Sequence, residues 1–321
     1  MEGFATNPAE RPEKSIVNYR FWSSDGEKSE LHAYLSRKIV CKVPGRSMCS
    51  TEDFVVNKRS EPALELKNSP LVLVLTQIRF SPVLRMDKCV PDIQELLRKK
   101  GLSRFSKEQT QQLIFGPEPA QSTYMRWVFS DRSKREAVVL TNDFFVYEVS
   151  QYSSFDDYLS RMLDLLEPIN KAAELSFAEQ IGIRYVDVLR GTSNLPVENM
   201  VCKSLRGLDA HSMGMKSCSY QFVIHGETDQ GVLSIRSFDN KGKHFLPPDL
   251  QTEHLEFADG DTSRSDEANR VIDFDHIYRG EIDFNRECIE ERMWALHDHT
   301  DRAFRNIVTN EAIESWKQGQ S

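Results

Sequence analysis

The sequence lacks the patterns by which enzymes and metalloproteins are most easily recognised. It contains no glycine-rich phosphate-binding loop, no zinc-protease or zinc-deaminase signature and no serine-hydrolase elbow. This absence lowers the odds of an enzyme but does not exclude one, because many active sites are assembled from scattered residues. The six cysteines form no CxxC pair and have no zinc-like spacing, so we expect reduced thiols and predict no metal or other cofactor.

Long hydrophobic runs and an export signal are also missing. The longest apolar stretch, Leu71–Leu75, is far too short to cross a bilayer and suits a buried strand. The first 18 residues are polar and lack the apolar core of a signal peptide. We therefore expect a cytoplasmic protein with no membrane partner, and the chain length predicts about two domains.

Positive charge is scarce in one long segment. Residues 251–290 contain twelve Asp or Glu, four Arg and no Lys, so this segment alone accounts for the net charge of −8. The remainder is balanced and shows no basic run, which disfavours a nucleic-acid partner. We expect the acidic excess to form a solvated, flexible face, and residues 239–269 to form a long acidic loop.

Two similar stretches, Gln77–Leu84 and Gly182–Leu189, are the most informative feature that is present. Each begins a run of strands that closes with a long amphipathic helix, Phe155–Ala173 in the first case and Asn285–Val308 in the second. This order predicts an α+β fold of two tandem β-α-β(3-4)-α units, whose antiparallel sheets are covered on one face by helices. The other face of the sheets would then be exposed.

The predicted domains are a partly disordered extension (1–69), a first unit (70–175) and a second unit (176–321). For the first two parts we predict helices Glu30–Val40 and Pro91–Lys100 and strands Pro70–Phe80, Gln112–Phe115, Tyr124–Ser130, Glu136–Thr141 and Phe144–Gln151. For the second unit we predict strands Glu179–Leu189, Ser219–Gly226, Gly231–Phe238 and Arg270–Tyr278, and a weak helix Val197–Leu205.

Arg79 and Arg184 occupy equivalent positions in the two similar stretches. Each lies in an otherwise apolar strand, where a charged residue is rarely buried unless it is paired. The two arginines are therefore candidates for binding a carboxylate or phosphate between the units through bidentate contacts. The alternative, which we favour, is that each pairs with an acidic neighbour on its own strand or the next.

Asp273 and Asp275 are the second pair of candidate binding residues. On a strand they project from one face, close enough to share a divalent cation such as Mg²⁺ or to bind a basic partner. The favoured alternative is a solvated strand face whose neighbours turn inward, namely Ile272, Phe274, His276 and Tyr278.

Two weaker patterns invite a metal interpretation. His297 and Asp301 share a helix face near His276, but His299 points elsewhere and spacing fixes no third ligand, so a hydrogen-bonded histidine at the core edge is favoured. Glu65 to Lys67 with the preceding Asp53 fits a nuclease-like D…ExK pattern, which recurs by accident in most proteins.

A set of positions between about residue 70 and residue 315 matches a known family in order and spacing: Gln77–Phe80, Pro82–Leu84, Ile93–Arg98, Gly101, Tyr152–Phe155, Ile181–Tyr185, Ile272–Asp275, Leu296–His297, Phe304, Ile307 and Thr309. On these positions the chain resembles a sporadically distributed bacterial family of uncharacterised proteins. The resemblance brings no assigned activity and no catalytic residues, and its patchy occurrence implies mobile or phage-defence genes.

Taken together, these features favour a non-enzymatic cytoplasmic binding or assembly protein with a protein partner, in which a homo-oligomer is possible. The first alternative is an enzyme with a metal or phosphate site near Asp273, Asp275, Arg79 and Arg184. The second alternative is a nucleic-acid-associated defence component, which the acidic balance disfavours.

Overall fold

Nine strands and four helices make up the part of the chain that the structure describes. It is a computed structural model, and the described residues are 64, 66–114, 120–209, 212–216, 218–240, 246–247, 249–250, 252, 254–258 and 269–318. The strands are β1 (Leu71–Phe80), β2 (Arg104–Ile114), β3 (Ala120–Ser130), β4 (Glu136–Leu140), β5 (Phe144–Val149), β6 (Phe177–Arg190), β7 (Gln221–Thr228), β8 (Gly231–Asn240) and β9 (Asn269–Asp283). The helices are α1 (Met86–Lys99), α2 (Phe155–Ala173), α3 (Arg286–Ile307) and α4 (Asn310–Gln318).

The mixed α+β class with a large antiparallel sheet confirms the coarse prediction. Helix α2 has the predicted bounds, and its N-cap Ser154 accepts a hydrogen bond from the backbone amide of Asp157 at 3.1 Å. Helix α3 likewise begins after an N-cap, because the side chain of Asn285 accepts from the amide of Cys288 at 2.8 Å. Local capping signals therefore locate both long helices.

Several predicted elements differ in extent or type. Helix α1 begins at Met86 rather than Pro91, because burial of Met86 and Val90 stabilises an earlier turn despite the proline. The weak helix becomes two separate 3₁₀ turns, Val197–Met200 and Lys203–Leu205. Helix α4 was not predicted, and the predicted helix Glu30–Val40 lies outside the described residues.

The strands form one sheet with the order β2-β3-β4-β5-β1-β6-β9-β8-β7, in which every neighbouring pair is antiparallel. The pair β1–β6 lies near the middle and joins the strands of the first half to those of the second. Within this pair Gln77 lies opposite Gly182 and Arg79 lies opposite Gln180. The sheet is therefore continuous across the predicted boundary at residues 175 and 176.

The helices cover one face of the sheet, which we call the helix face. Alternate residues of the central strands, such as Ile78, Ile183 and Phe274, are fully buried there. Helix α2 packs a continuous apolar stripe onto them: Phe155, Tyr158, Leu159, Met162, Leu163, Leu165, Leu166 and Ile169. Burial of this stripe against the sheet forms the larger of two hydrophobic clusters.

The opposite face of the sheet is here called the second face. Part of the acidic loop covers its centre, so the prediction of an exposed sheet face is wrong for the central strands. Leu250 and Leu255 from the acidic loop are buried against Val186 and Val271. The same loop is anchored by a hydrogen-bond contact between His254 Nε2 and the fully buried Glu148. The described part of the acidic loop is therefore packed onto the strands, and the prediction of a solvated face is wrong for this part.

The β7–β8 hairpin offers a direct test of the sheet packing. Gly231 has a φ of +146°, and a Cβ at this position would collide with the backbone carbonyl of Ile277 on β9. We expect Gly231→Ala to lower the free energy of unfolding by roughly 2 kcal/mol, measured by urea denaturation. Gly226→Ala, in the same hairpin with open space at its Cβ, is the matched control. Equal stability of the two variants would contradict this packing.

Candidate functional site

A cavity of about 630 Å³ opens on the helix face and is the strongest candidate site in the described part of the chain. It lies between the N-terminus of α2, helix α3 and strands β6 and β9. Its volume falls within the range of small-molecule pockets, about 300–1,000 Å³. The lining residues are Leu64, Leu66, Lys67, Ser69, Leu71, Tyr152, Ser153, Ser154, Phe155, Asp156, Tyr185, Asp187, Phe274, Trp294, His297, Asp298, Thr300, Asp301, Arg302, Phe304 and Lys317.

The regular periods of the helix and the strand bring the pocket side chains together. Trp294, His297, Asp298 and Asp301 occupy positions i, i+3, i+4 and i+7 on α3, so they share one helix face. Tyr185 and Asp187 are two apart on β6, so they point to the same side of the sheet. The N-cap Ser154 places the first turn of α2 at the opposite wall. One helix face and one strand face thus supply two walls of the site.

Aromatic rings pack closely along one wall. The imidazole of His297 stacks on Phe155 with ring centroids 3.8 Å apart, and Trp294 contacts Phe155 edge-on at 4.6 Å. The hydroxyl of Tyr185 is 2.8 Å from Nδ1 of His297, a hydrogen bond that fixes the orientation of both rings. Burial raises the pKa of Tyr185 well above its ordinary value, so its hydroxyl stays protonated. This wall is preformed and mostly apolar.

Asp187 is the exceptional residue of the pocket. Its side chain lines the cavity and is 4% exposed, yet it makes no hydrogen bond with the described residues. Burial, assisted by the negative charge of Asp273, raises the pKa of its carboxyl group to about 8. At neutral pH Asp187 is therefore a protonated carboxylic acid, with one hydrogen-bond donor and one acceptor directed into the pocket.

The raised pKa of Asp187 makes a prediction about stability and pH. Because the folded state keeps a proton that the unfolded state has lost, the contribution of Asp187 to the free energy of unfolding falls as pH rises from about 4 to 8. Asp187→Asn cannot titrate, so at pH 8.5 it should be more stable than the parent by on the order of 2 kcal/mol.

The difference in the free energy of unfolding between Asp187→Asn and the parent should shrink towards pH 5. Denaturant titrations at pH 5 and pH 8.5 will measure it. Asp164→Asn, an exposed residue of α2, is the control and should show no such growth with pH. A gap that is constant with pH would contradict a protonated, buried Asp187.

The second face carries a separate cluster of buried charges around Arg184. Its guanidinium donates to both carboxylate oxygens of Asp273 at 2.7 and 3.0 Å, and to Asp249 at 2.9 and 3.3 Å. Arg236 contacts the same two carboxylates, with its Nε 2.6 Å from Asp273. Although burial opposes the charged form, Asp273 and Asp249 raise the pKa of Arg184. Two arginines and two aspartates thus neutralise one another, and Asp249 ties the acidic loop to the sheet.

The structure brings three of the four predicted binding residues together. Arg184 and Asp273 are fully buried, and Asp275 lies opposite Arg184 with 5% exposure. Burial raises the pKa of Asp275 to about 7. These aspartates are not on a solvated strand face, so that alternative is wrong, although Ile272, Phe274 and His276 do turn inward as expected.

Arg79 lies apart from this cluster. It is four residues along β1 from the partner of Arg184, about 13 Å away along the strand direction. Its side chain is half-exposed and pairs with Asp143 at 2.7 Å. Each arginine therefore has at least one acidic partner. A ligand that contacts both Arg79 and Arg184 stays a prediction, which the distance between them does not favour.

The histidines that suggested a metal site have other partners. His297 bonds to Tyr185, whereas His276 lies between the carbonyl of Leu296 and Thr228. His299 Nδ1 is 3.1 Å from the carbonyl of Ala295 in its own helix. Among the described residues, no group of three or more His, Cys, Asp or Glu side chains is arranged to hold a metal ion. Asp53 and Glu65 of the nuclease-like pattern lie outside the described residues.

Sequence reasoning missed Asp187, although a signal was present. Ile183, Tyr185 and Asp187 follow the two-residue period of one strand, so an acidic residue continues an otherwise apolar face. The corresponding place in the first stretch, three residues after Arg79, is Pro82. An aspartate or glutamate within a buried apolar strand face indicates a candidate functional residue, because carboxylates are rarely buried without a partner.

The sequence matches no protein-family model and no curated protein. The resemblance to a sporadically distributed bacterial family therefore stays a prediction. None of the described helices is both long and apolar enough to cross a membrane.

The two arginines provide a test of the charge cluster. Arg184→Ala leaves Asp273 and Asp249 with one guanidinium fewer inside the protein, so we expect a loss of about 3–5 kcal/mol in the free energy of unfolding. Arg79→Ala removes a half-exposed pair and should cost less than about 1 kcal/mol. Chemical denaturation of both variants measures the difference. Similar small losses would show that Arg184 is not buried in a charge network.

Proposed function

We propose that this chain is a binding protein that accepts a small organic molecule in the pocket between α2, α3 and β6. The observation that carries the proposal is the buried carboxyl group of Asp187, which lines a cavity of about 630 Å³ without a hydrogen-bond partner among the described residues. Buried polar groups in native proteins nearly always have a hydrogen-bond partner, supplied by the protein, a ligand or ordered water. A ligand that bonds to Asp187 would satisfy it.

The composition of the walls supports the same proposal. Small-molecule sites are concave and largely apolar, with a few polar groups that fix the orientation of the ligand. Here the apolar part is aromatic, and the polar part consists of Asp187 and the hydrogen-bonded pair Tyr185 and His297. The contacts among Phe155, Trp294 and His297 hold these walls before a ligand arrives, which lowers the entropic cost of binding.

The alternative of an enzyme site near Asp273, Asp275, Arg79 and Arg184 has weaker support. The guanidinium groups of Arg184 and Arg236 already hold two carboxylates, so an incoming phosphate would compete with them in a buried place. Arg79 is too distant to contribute. A cytoplasmic location, a protein partner, a homo-oligomer and a link to phage defence stay proposals that rest on the sequence.

We also propose that the sheet consists of two copies of one unit. In each half the first strand pairs with the last, β1 with β5 and β6 with β9, and the other strands follow outward in reverse order. Arg79 and Arg184 are 105 residues apart, and the same spacing relates Gln77 to Gly182. Gln77 and Gly182 lie opposite each other in the β1–β6 pair. An approximate twofold axis through this pair accounts for both facts.

The pocket is tested by filling it in the full-length protein. Thr300 is buried in the wall, so Thr300→Phe should occupy part of the cavity, whereas Thr300→Val keeps its size. We expect a metabolite library to contain compounds that raise the melting temperature of the parent and of Thr300→Val, because a ligand at 100 times its Kd stabilises by about 2.7 kcal/mol.

The same compounds should lose their effect on Thr300→Phe. The melting temperatures without ligand show whether each variant is folded. If no compound stabilises the parent, or if the stabilising compounds act equally on Thr300→Phe, the pocket is not a binding site for small molecules.

A further inference from the structure

The chemistry of the pocket narrows the class of ligand, on the premise that the pocket binds a small molecule as proposed above. A neutral carboxyl group presents a donor and an acceptor side by side, in one plane. Asp187 presents this pair to the cavity from a side chain that is almost fully buried. The matching ligand edge has an adjacent acceptor and donor, as in a lactam or in an aromatic ring nitrogen beside an amino group.

The rest of the wall favours a flat, unsaturated ligand. Six aromatic rings line the cavity besides His297: Tyr152, Phe155, Tyr185, Phe274, Trp294 and Phe304. Tyr185 and Phe274 lie opposite each other on β6 and β9, directly beside Asp187 and Ile272 of the next pair. An aromatic surface thus lies next to the carboxyl group, and stacking on such surfaces is a main source of affinity for nucleobases, about 1–3 kcal/mol per base.

We propose that the pocket binds a planar nitrogen heterocycle of the nucleobase type, whose hydrogen-bonding edge pairs with the carboxyl group of Asp187 and whose ring packs on the aromatic walls. Adenine and cytosine offer a ring nitrogen beside an amino group, and hypoxanthine offers an N–H beside a carbonyl. A protonated carboxyl pairs with either arrangement through two hydrogen bonds. The cavity also leaves room for substituents on the ring.

Other charged groups around the pocket affect how binding depends on pH. Asp156 lies on α2, and His297, Asp298, Asp301 and Arg302 lie on α3. Lys317 lies on α4, and Lys67 precedes β1. Asp273 lies on the second face and disfavours ionisation of Asp187. Since these ionisable groups line the same cavity, the role of Asp187 has to be isolated by substitution as well as by pH.

The test is calorimetric titration of the full-length protein with adenine, cytosine and hypoxanthine at pH 6.5. We expect at least one of them to bind. For that base, Asp187→Leu should weaken binding by about 10- to 100-fold, because it removes two buried hydrogen bonds. Asp187→Asn keeps one donor and one acceptor in the same plane, so it should retain most of the affinity.

A pH series separates this pairing from a merely structural role of Asp187. Between pH 6.5 and 9 the affinity of the parent should fall, since ionisation removes the donor, whereas Asp187→Asn should lose less. Indole and N6,N6,9-trimethyladenine are flat controls that offer no donor beside an acceptor, and both should bind more weakly than adenine.

Two results would overturn the ligand class. One is that the three bases fail to bind while unrelated compounds from the library stabilise the parent but not Thr300→Phe, so that the pocket binds small molecules of another kind. The other is that a base binds equally to the parent, Asp187→Asn and Asp187→Leu. If no compound of any kind binds, the proposed function itself fails together with the ligand class.

Discussion

The antiparallel pairing of β1 with β6 is the constraint on which the rest of the structure depends. It joins strands more than a hundred residues apart in sequence, and the remaining strands add outward from this pair on both sides. Since side chains alternate along a strand, the register of β6 also decides which residues face the helices. A shift by one residue would place Arg184 in the pocket and Asp187 on the second face.

The two faces of β6 accommodate buried polar groups in opposite ways. On the second face Arg184 remains charged, because Asp273 and Asp249 supply two carboxylates at hydrogen-bond distance. On the helix face the neutral form of Asp187 is favoured, because burial and the negative charge of Asp273 both raise its pKa. The first arrangement fastens the acidic loop onto the sheet. The second leaves a hydrogen-bonding group available inside a cavity.

What the sequence predicts well is local. The unbroken apolar run of β1 and the apolar stripe of α2 are patterns within one element, and their bounds agree with the structure to within a residue. The pairing of Arg184 with Asp249, by contrast, joins residues 65 apart across a loop that seemed to be solvated. Charge composition could not reveal it, because the burial of the loop depends on Leu250 and Leu255 meeting strands from both halves.

The pocket shows the same division between local and long-range information. Sequence periodicity places Tyr185 and Asp187 on one strand face, and His297 and Asp301 on one helix face. Whether these faces close on a cavity depends on how α2 and α3 pack over the sheet, which no single segment encodes. The two stretches also differ at the decisive position, since Pro82 stands where the second has Asp187. Comparison of the two stretches therefore selected Arg184, which both share as an arginine, and did not select Asp187.

Asp187 and Asp275 are both buried carboxyl groups with raised pKa values, yet only one of them points to a ligand. Asp275 has an oxygen without a partner among the described residues, but it lies beside Arg184, which favours its charged form, and it does not line the pocket. Among the described residues no cation contributes to the pKa of Asp187, and the positive groups of the pocket, Lys67, Arg302 and Lys317, are exposed. An acid buried in this way destabilises the folded protein when it ionises, so its position is better explained by a bond to a ligand than by a contribution to stability.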